Sequence, residues 1–242
     1  MEAELSEDAM ASKPVGRRLF LGGMAAGVAG IAFGRAIQDF LQSVAESDPT
    51  GALDTLSVLP TGGRFRIYSA SGTFPDIPDE EYTLGIAGLV GESFTFSLAN
   101  LKEDFEPLHM TKDFQCVTGW RVRDVQWIGV RLQDILDRAQ PRGGATHITM
   151  YSHDGLYTES FTLEQAARED MLVAYTMSGE RVSRDHGGPV RLVAAPMYGY
   201  KSIKWLSHIE LTDQEEPGYW EVRGYDVDAW VGGSNGRTDV PT

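Results

Sequence analysis

Glycine and proline interrupt this chain often enough to limit the length of its regular elements. The 242 residues include 27 glycines and 11 prolines, and both residues weaken or end helices and strands. A helical bundle needs longer uninterrupted segments, so this composition favours short strands joined by many turns. With 42% hydrophobic and 23% charged residues, the chain can still bury a substantial core without disulfide staples.

Short segments of alternating apolar residues predict several strands. Residues 82–90 and 92–97 are two such segments around Gly91, which is typical of a hairpin. Helical spacing is confined to short stretches such as 132–139, which Pro141 ends. Strands and helices do not alternate as a regular βαβ series. We therefore predict a mixed α+β fold with mostly antiparallel strands.

The first 45 residues have the features of an export signal. Arg17 and Arg18 precede an apolar run over 22–34 that is rich in glycine and alanine, and this arrangement resembles a twin-arginine signal. The run is shorter than the roughly 20 apolar residues that span a bilayer. We predict export through the twin-arginine translocon to the periplasm or the outer face of the cytoplasmic membrane. The predicted divisions are a signal or N-terminal anchor at 1–45, a linker at 46–63 and a folded domain at 64–242.

The charge of the chain argues against one class of partner. The formal net charge is −14 and the pI is near 4.7. Nucleic acids and anionic membranes bind surfaces with an excess of lysine and arginine. The composition therefore predicts no nucleic-acid partner and favours a small molecule or a protein.

Cys116 is the only cysteine in the chain. A single cysteine cannot form an internal disulfide, a four-thiolate metal site or a CxxC redox pair. The remaining roles are an apolar core residue, a thiolate nucleophile and the single sulfur ligand of a soft metal. The pattern predicts that Cys116 ends a strand and that Gly119 then turns the chain and exposes the sulfur.

Three loops combine glycine with cations, tyrosines or hydroxyls: the loop that carries Cys116, residues 186–191 and residues 198–204. Glycine lets the backbone approach a ligand, and lysine, arginine and serine bind phosphate oxygens. These loops favour an anionic cofactor. The chain contains neither a GxxxxGK[ST] nor a GxGxxG motif, and its five histidines lack metal-ligand spacing.

Three blocks around these loops resemble the signature blocks of the sulfite oxidase family of molybdopterin enzymes. The blocks are FQCVTGW at 114–120, DHGGPVRLV at 185–193 and YGYKSIKWL at 198–206. They follow in the family's order, and the resemblance extends over roughly 68–220. It implies the family's α+β molybdenum-cofactor domain across 64–242, with one molybdenum-molybdopterin per chain.

The resemblance also implies roles for individual residues. Cys116 would be the thiolate ligand of molybdenum, which soft-ligand chemistry allows. Tyr157 lies where sulfite oxidases carry a tyrosine directed at the metal's oxo group, and Arg121 lies where they carry a substrate-binding arginine. The residues implied to contact the cofactor are Tyr68, Cys116, Ser152, His186, Arg191, Ser202, Ile203 and Lys204.

The reaction implied by this family is oxygen-atom transfer on a sulfur oxyanion or a sulfoxide, with molybdenum cycling between Mo(VI) and Mo(IV). The chain has no CxxCH haem motif and no cysteines for a cluster, so electrons would be exchanged with an external cytochrome or membrane haem protein. Its compact length is similar to that of periplasmic subunits that reduce protein methionine sulfoxide, which usually lack an arginine at the position of Arg121. Two alternatives stay open: a hydrolase that uses Cys116 with a histidine, and an exported domain that binds the cofactor without turnover.

Overall fold

The computed structural model describes residues 65–242. The predicted signal at 1–45 and linker at 46–63 lie outside the described residues and stay predictions. Within 65–242, the ten strands are β1 (Thr83–Gly88), β2 (Phe94–Ser97), β3 (Leu108–Gln115), β4 (Arg121–Arg131), β5 (His147–Ser152), β6 (Thr158–Thr162), β7 (Met171–Met177), β8 (Glu180–Arg181), β9 (Arg191–Ala194) and β10 (Leu206–Thr212). The helices are α1 (Leu98–Glu103), α2 (Leu132–Ala139) and α3 (Leu163–Ala166), and short 3-10 turns cover Arg184–His186, Gly199–Lys201 and Glu221–Arg223.

The strands form two five-stranded sheets. The first has the order β2-β1-β10-β5-β6, and the second has the order β3-β4-β7-β8 with β9 also paired to β7. Among the described strands, β1 and β10 pair in parallel and the other pairs are antiparallel. The predicted α+β class with mostly antiparallel strands is confirmed.

Local sequence signals account for several of these elements. Strands β1 and β2 pair as the predicted hairpin, and α2 covers the predicted helix at 132–139. Ser97 is the N-cap of α1 and Thr162 is the N-cap of α3. Each forms a capping box in which its hydroxyl accepts a hydrogen bond from a backbone N–H three residues later. Strand β10 starts at Leu206, directly after Trp205, whose backbone is left-handed with φ of 50°.

The main core takes apolar side chains from both sheets, among them Leu84 and Ile209 from the first sheet and Val173 from the second. A smaller cluster around Trp127 includes Leu172. Successive side chains of a strand point to opposite faces, so β7 contributes to both clusters and the second sheet is apolar on both faces. In the part of the chain that the structure describes, no helix is long and apolar enough to cross a membrane.

Candidate active site

A pocket of about 540 Å³ lies between loops of the two sheets. Pockets of this size hold small ligands or cofactors. The pocket is lined by residues from six segments that are far apart in the sequence: 65–70, 114–120, 152–157, 185–191, 199–205 and 219–225. All three sequence blocks that resemble the sulfite oxidase family therefore contribute to one site.

Cys116 reaches this pocket from a tight turn after β3. Its N–H donates to the Trp120 carbonyl at 2.9 Å, and the Gly119 N–H donates to the Cys116 carbonyl at 3.0 Å. Gly119 has φ of 101°, a conformation that favours glycine. The half-buried Sγ lies 3.2 Å from Thr118 Oγ1. The structure thus places Cys116 at a strand end and turn, as the pattern predicts.

Arg191 is a buried cation on the pocket wall. Its guanidinium donates to the carbonyls of His186 at 2.6 Å, Ser202 at 2.9 Å and Leu192 at 3.2 Å. Burial lowers its pKa to about 10, so it stays charged at neutral pH. These bonds tie the loop before β9 to the loop before β10 and hold a positive charge at a fixed position.

Lys204 and His186 are two more basic residues that line the pocket near Arg191. Lys204 Nζ donates to the Asp185 carbonyl at 2.9 Å and lies 4.6 Å from the centre of the Trp205 ring. Burial, and then repulsion from Arg191, lowers the pKa of Lys204 to about 7. The pKa of His186 is also lowered, by burial and by both cations. An anionic group bound beside these residues would offset this repulsion.

Two further predicted cofactor contacts, Ser152 and Tyr68, also line the pocket. Ser152 is buried, and its Oγ accepts a hydrogen bond from the Asp154 N–H at 3.2 Å. Tyr68 is 56% exposed and belongs to the 65–70 segment of the pocket lining. Ser202 lines the pocket as well, and its hydroxyl accepts a hydrogen bond from the Ala194 N–H at 3.0 Å.

Arg121 does not line the pocket. Its Nε donates to Gln115 Oε1 at 2.6 Å, its Nη1 lies 3.2 Å from Asp113 Oδ2, and its Nη2 donates to the Val240 carbonyl. The reason is geometric, since neighbouring side chains of an extended chain point to opposite faces and the adjacent Trp120 faces the pocket. Contact between Arg121 and a substrate therefore stays a prediction that this geometry does not support.

Ile203 also lies outside the pocket lining. Its side chain is buried in the main core. Its N–H donates to the Lys201 carbonyl at 3.1 Å, and its carbonyl accepts from the Leu192 N–H at 2.9 Å. Its position supports the loop that carries Ser202 and Lys204, and its contact with a cofactor stays a prediction.

Tyr157 belongs to a wall of five aromatic rings, most of which sequence reasoning missed. This aromatic wall consists of Tyr157, Tyr200, Tyr219, Trp220 and Tyr225, all of which line the pocket. Neighbouring ring centres lie 5.2–5.4 Å apart from Tyr157 through Tyr219, Trp220 and Tyr225 to Tyr200. The Tyr157 hydroxyl donates to the Tyr200 carbonyl at 2.7 Å. The aromatic residues at 219–225 were the sequence signal that could have revealed this wall.

Comparison with known proteins identifies the family. The sequence model for the oxidoreductase molybdopterin binding domain matches residues 71–220, more than half of the chain. The chain belongs to this family. The three signature blocks predicted a sulfite oxidase family molybdopterin enzyme, and this prediction is confirmed. The chain is a molybdenum-dependent oxidoreductase of that family, which replaces the alternative of a cysteine-dependent hydrolase.

Individual relatives agree with this assignment. The chain is 34% identical over 161 residues to the uncharacterized oxidoreductase YuiH of Bacillus subtilis, covering 64% of this chain and 80% of YuiH. It is 35% identical over 126 residues to sulfite oxidase of Arabidopsis thaliana, covering 44% of this chain and 32% of that protein. The crystal structure of the sulfane dehydrogenase SoxCD from Paracoccus pantotrophus has the same fold. It has a TM-score of 0.55 and 19% identity, covering 63% of this chain and 45% of that one.

The residues of the pocket fit the cofactor that this family implies. The phosphate group of a molybdopterin would meet Arg191, Lys204 and His186, whose mutual repulsion it would offset. Cys116 offers one soft sulfur in the same pocket. Within residues 65–242, no three His, Cys, Asp or Glu side chains come together as a metal site. The donor set thus matches a metal held jointly by one thiolate and a cofactor.

Proposed function

We propose that this molybdopterin oxidoreductase removes the oxygen atom from a neutral sulfoxide and so reduces it to a sulfide. The observation that carries the proposal is the aromatic wall, which lies in the same pocket as Cys116. Aromatic faces bind methyl and alkyl groups well and desolvate oxyanions at a cost. Sulfoxide substituents suit this surface better than the bare oxygens of sulfite do.

The proposed cofactor content is one molybdenum-molybdopterin per chain. Cys116 would be its protein ligand, and Arg191, Lys204 and His186 would hold its phosphate end. When bound, molybdenum would supply the redox chemistry of oxygen-atom transfer.

Tyr157 would act on the oxygen side of the substrate. Its pKa is raised well above the usual range, first by burial and then by Glu159. The phenol therefore stays protonated at neutral pH, and its one proton would be donated to a sulfoxide oxygen in place of the Tyr200 carbonyl. The same hydroxyl donates to the Tyr200 carbonyl at 2.7 Å in this structure, which holds the ring at the pocket.

The proposal also includes export and an external electron carrier. The twin-arginine pattern at 1–45 supports export to the periplasm or the outer membrane face. Electrons for reduction would come from a cytochrome or a membrane haem protein. One relative is named a sulfite oxidase and the structural neighbour a sulfane dehydrogenase, and both names support sulfur chemistry.

A sulfur oxyanion is the second candidate substrate, and Arg66 favours it. Arg66 lines the pocket, and a guanidinium can bind sulfite with two parallel hydrogen bonds. Arg121 gives no such support, because its guanidinium is already bound to Asp113 and Gln115.

A pair of steady-state assays on purified, cofactor-loaded enzyme distinguishes the two candidate substrates. One assay follows reduction of methyl p-tolyl sulfoxide by a reduced viologen, in which R₂SO, two protons and two electrons give R₂S and water. The other follows oxidation of sulfite by ferricyanide. We expect sulfoxide turnover, with kcat/KM of Arg66→Ala and Arg121→Ala within about threefold of wild type.

The opposite pattern would overturn the choice of substrate. The oxyanion function would be established if wild type oxidised sulfite without reducing the sulfoxide and if Arg66→Ala lowered kcat/KM for sulfite by about tenfold or more. Bound cofactor with no turnover in either assay would contradict both substrates and support the non-catalytic alternative.

A further inference from the structure

Behind the aromatic wall lies a buried ammonium with two carboxyl groups. The side chains of Lys201, Glu159 and Glu221 are all 0% exposed. Lys201 Nζ donates to the Ser160 carbonyl at 2.7 Å, lies 2.9 Å from Glu159 Oε2 and donates to Glu221 Oε1. The three ammonium hydrogens thus have three oxygen neighbours.

The two carboxyl groups have different surroundings. Glu221 accepts a hydrogen bond on each oxygen, from Lys201 on Oε1 and from the Gly218 N–H on Oε2. Neither oxygen of Glu159 has a hydrogen bond of acceptable geometry. Its polar neighbours are the Lys201 ammonium, the Glu221 carboxyl and the Tyr157 hydroxyl. Hydrogen bonds therefore stabilise the ionised form of Glu221 better than that of Glu159.

The charges in this cluster do not balance if both carboxyls are ionised. An uncompensated buried charge is expensive, so a buried carboxyl that lacks well-formed hydrogen bonds takes up a proton. Burial raises the pKa of Glu159 well above the usual range, although Lys201 acts in the opposite direction. Burial alone would lower the pKa of Lys201, but Glu159 and Glu221 outweigh it and raise that pKa. The hydroxyls of Tyr157 and Tyr200 are the other titratable groups that interact with Glu159.

Each member of the cluster is close in sequence to a different residue of the aromatic wall. Lys201 follows Tyr200 in a 3-10 turn, and Glu159 lies on β6 two residues after Tyr157. Glu221 follows Trp220 and holds the backbone at Gly218. Three separate segments of the wall are therefore joined through one ammonium.

The segment at 218–221 is also packed too closely to shift freely. The Tyr219 N–H donates to the Thr158 carbonyl at 3.0 Å. A Cβ at Gly218 would lie 2.6 Å from the same carbonyl. Any movement of Glu221 therefore moves Tyr219 and Trp220 relative to β6.

We propose that Lys201 positions the aromatic wall through two carboxyl groups in different charge states, an ionised Glu221 and a neutral Glu159. The inference goes beyond the proposed function, because it concerns the wall itself and holds for any substrate. Lys201 and the two glutamates are positioning residues.

Infrared spectroscopy of the cofactor-loaded protein at pH 8 tests the charge states directly. Wild type should show the carbonyl stretch of a buried neutral carboxylic acid, and Glu159→Gln should lose it. The exposed Glu164→Gln is the matched control and should keep the band. Absence of the band in wild type, or its persistence in Glu159→Gln, would overturn the assignment of a neutral Glu159.

Thermal unfolding tests the asymmetry between the two carboxyls. Glutamine imitates a neutral glutamate, so Glu159→Gln should change Tm by less than about 2 °C. Glu221→Gln leaves the poorly solvated Glu159 as the only carboxyl for Lys201 and should lower Tm by roughly 5–10 °C. Equal effects of the two substitutions would contradict the proposal.

Kinetics test the positioning role at a temperature well below each Tm. Glu221→Gln should raise KM for methyl p-tolyl sulfoxide by about fivefold or more and leave kcat within about twofold, because the wall binds and does not react. The exposed Glu164→Gln is again the control and should match wild type. A stable Glu221→Gln with an unchanged KM would overturn the positioning role. If wild type does not reduce sulfoxides, the proposed substrate fails, and the spectroscopic and thermal results still decide the charge states.

Discussion

At the scale of single residues, the pocket brings together the basic groups of Arg191, Lys204 and His186, and the pKa of Lys204 stays lowered although Asp154 and Asp185 act in the opposite direction. Arg191 is held in place by three carbonyls, and burial, followed by repulsion from Arg191, lowers the pKa of Lys204 to about 7. This arrangement costs stability in the protein alone and favours the binding of a phosphate. The protein thus has a preformed anion site whose unfavourable charges lower its folding stability.

The lowered pKa of Lys204 predicts a pH dependence for the cofactor-free protein. In the unfolded chain this amine titrates near its ordinary pKa of about 10.4. Between pH 7 and 10 the unfolded state therefore binds more protons than the folded state, and stability rises with pH. We expect Tm to rise by at least about 3 °C over this window in wild type.

Lys204→Met provides the comparison, because methionine keeps the apolar stem and removes the amine. Its Tm should show little of the rise between pH 7 and 10, and at pH 7 it should be at least as high as that of wild type. A slope as steep in Lys204→Met as in wild type would assign the pH dependence to another group.

At the scale of elements, short helices depend on their caps. The α3 helix has only four residues, and Thr162 and Gln165 bond reciprocally at its start, each at 3.0 Å. This helix continues from β6, which carries Glu159 and follows Tyr157 directly. The cap therefore fixes the end of a strand that contributes to the site.

Thr162→Ala should destabilise the protein by about 1 kcal/mol, the usual cost of losing an N-cap hydroxyl. In a domain of this size the loss corresponds to a fall in Tm of roughly 2–4 °C. Thr162→Ser retains the hydroxyl and should stay within about 1 °C of wild type. Equal Tm values for Thr162→Ala and wild type would show that the box contributes nothing to stability.

The elements that the sequence predicts are those that local interactions determine. The β1–β2 hairpin and α2 each depend on residues close together in the chain. The parallel pairing of β1 with β10 joins Gly85 to His208, and no local pattern specifies a partner so distant. Packing between whole sheets decides such pairings.

The same distinction explains the predicted site. Motif blocks identify Cys116, His186 and Lys204 because each block carries its own chemistry, and all three residues line the pocket. The direction of Arg121 depends on strand register and on a contact with the Val240 carbonyl. The aromatic wall depends on the return of the 219–225 segment to β6. Neither feature is encoded near the motifs.

At the scale of the whole molecule, the pocket lies at the junction of the two sheets. Cys116 and His186 come from loops of the second sheet, Ser152 ends β5 of the first sheet, and Lys204 lies in the connection from β9 of the second sheet to β10 of the first. A ligand that contacts both sets would stabilise the folded state by binding across the junction. Cofactor content is therefore linked to the integrity of the whole fold.

The most direct test of the central claim is the molybdenum content of the folded protein, measured by elemental analysis after expression in a host that makes molybdopterin. The wild type should contain about one molybdenum per chain. Cys116→Ser should fold normally but lose most of the sulfur-to-molybdenum charge-transfer absorption and the activity, because its hydroxyl is a poor ligand for a soft metal. A folded wild type with negligible molybdenum, or a Cys116→Ser variant with unchanged absorption and activity, would contradict the account.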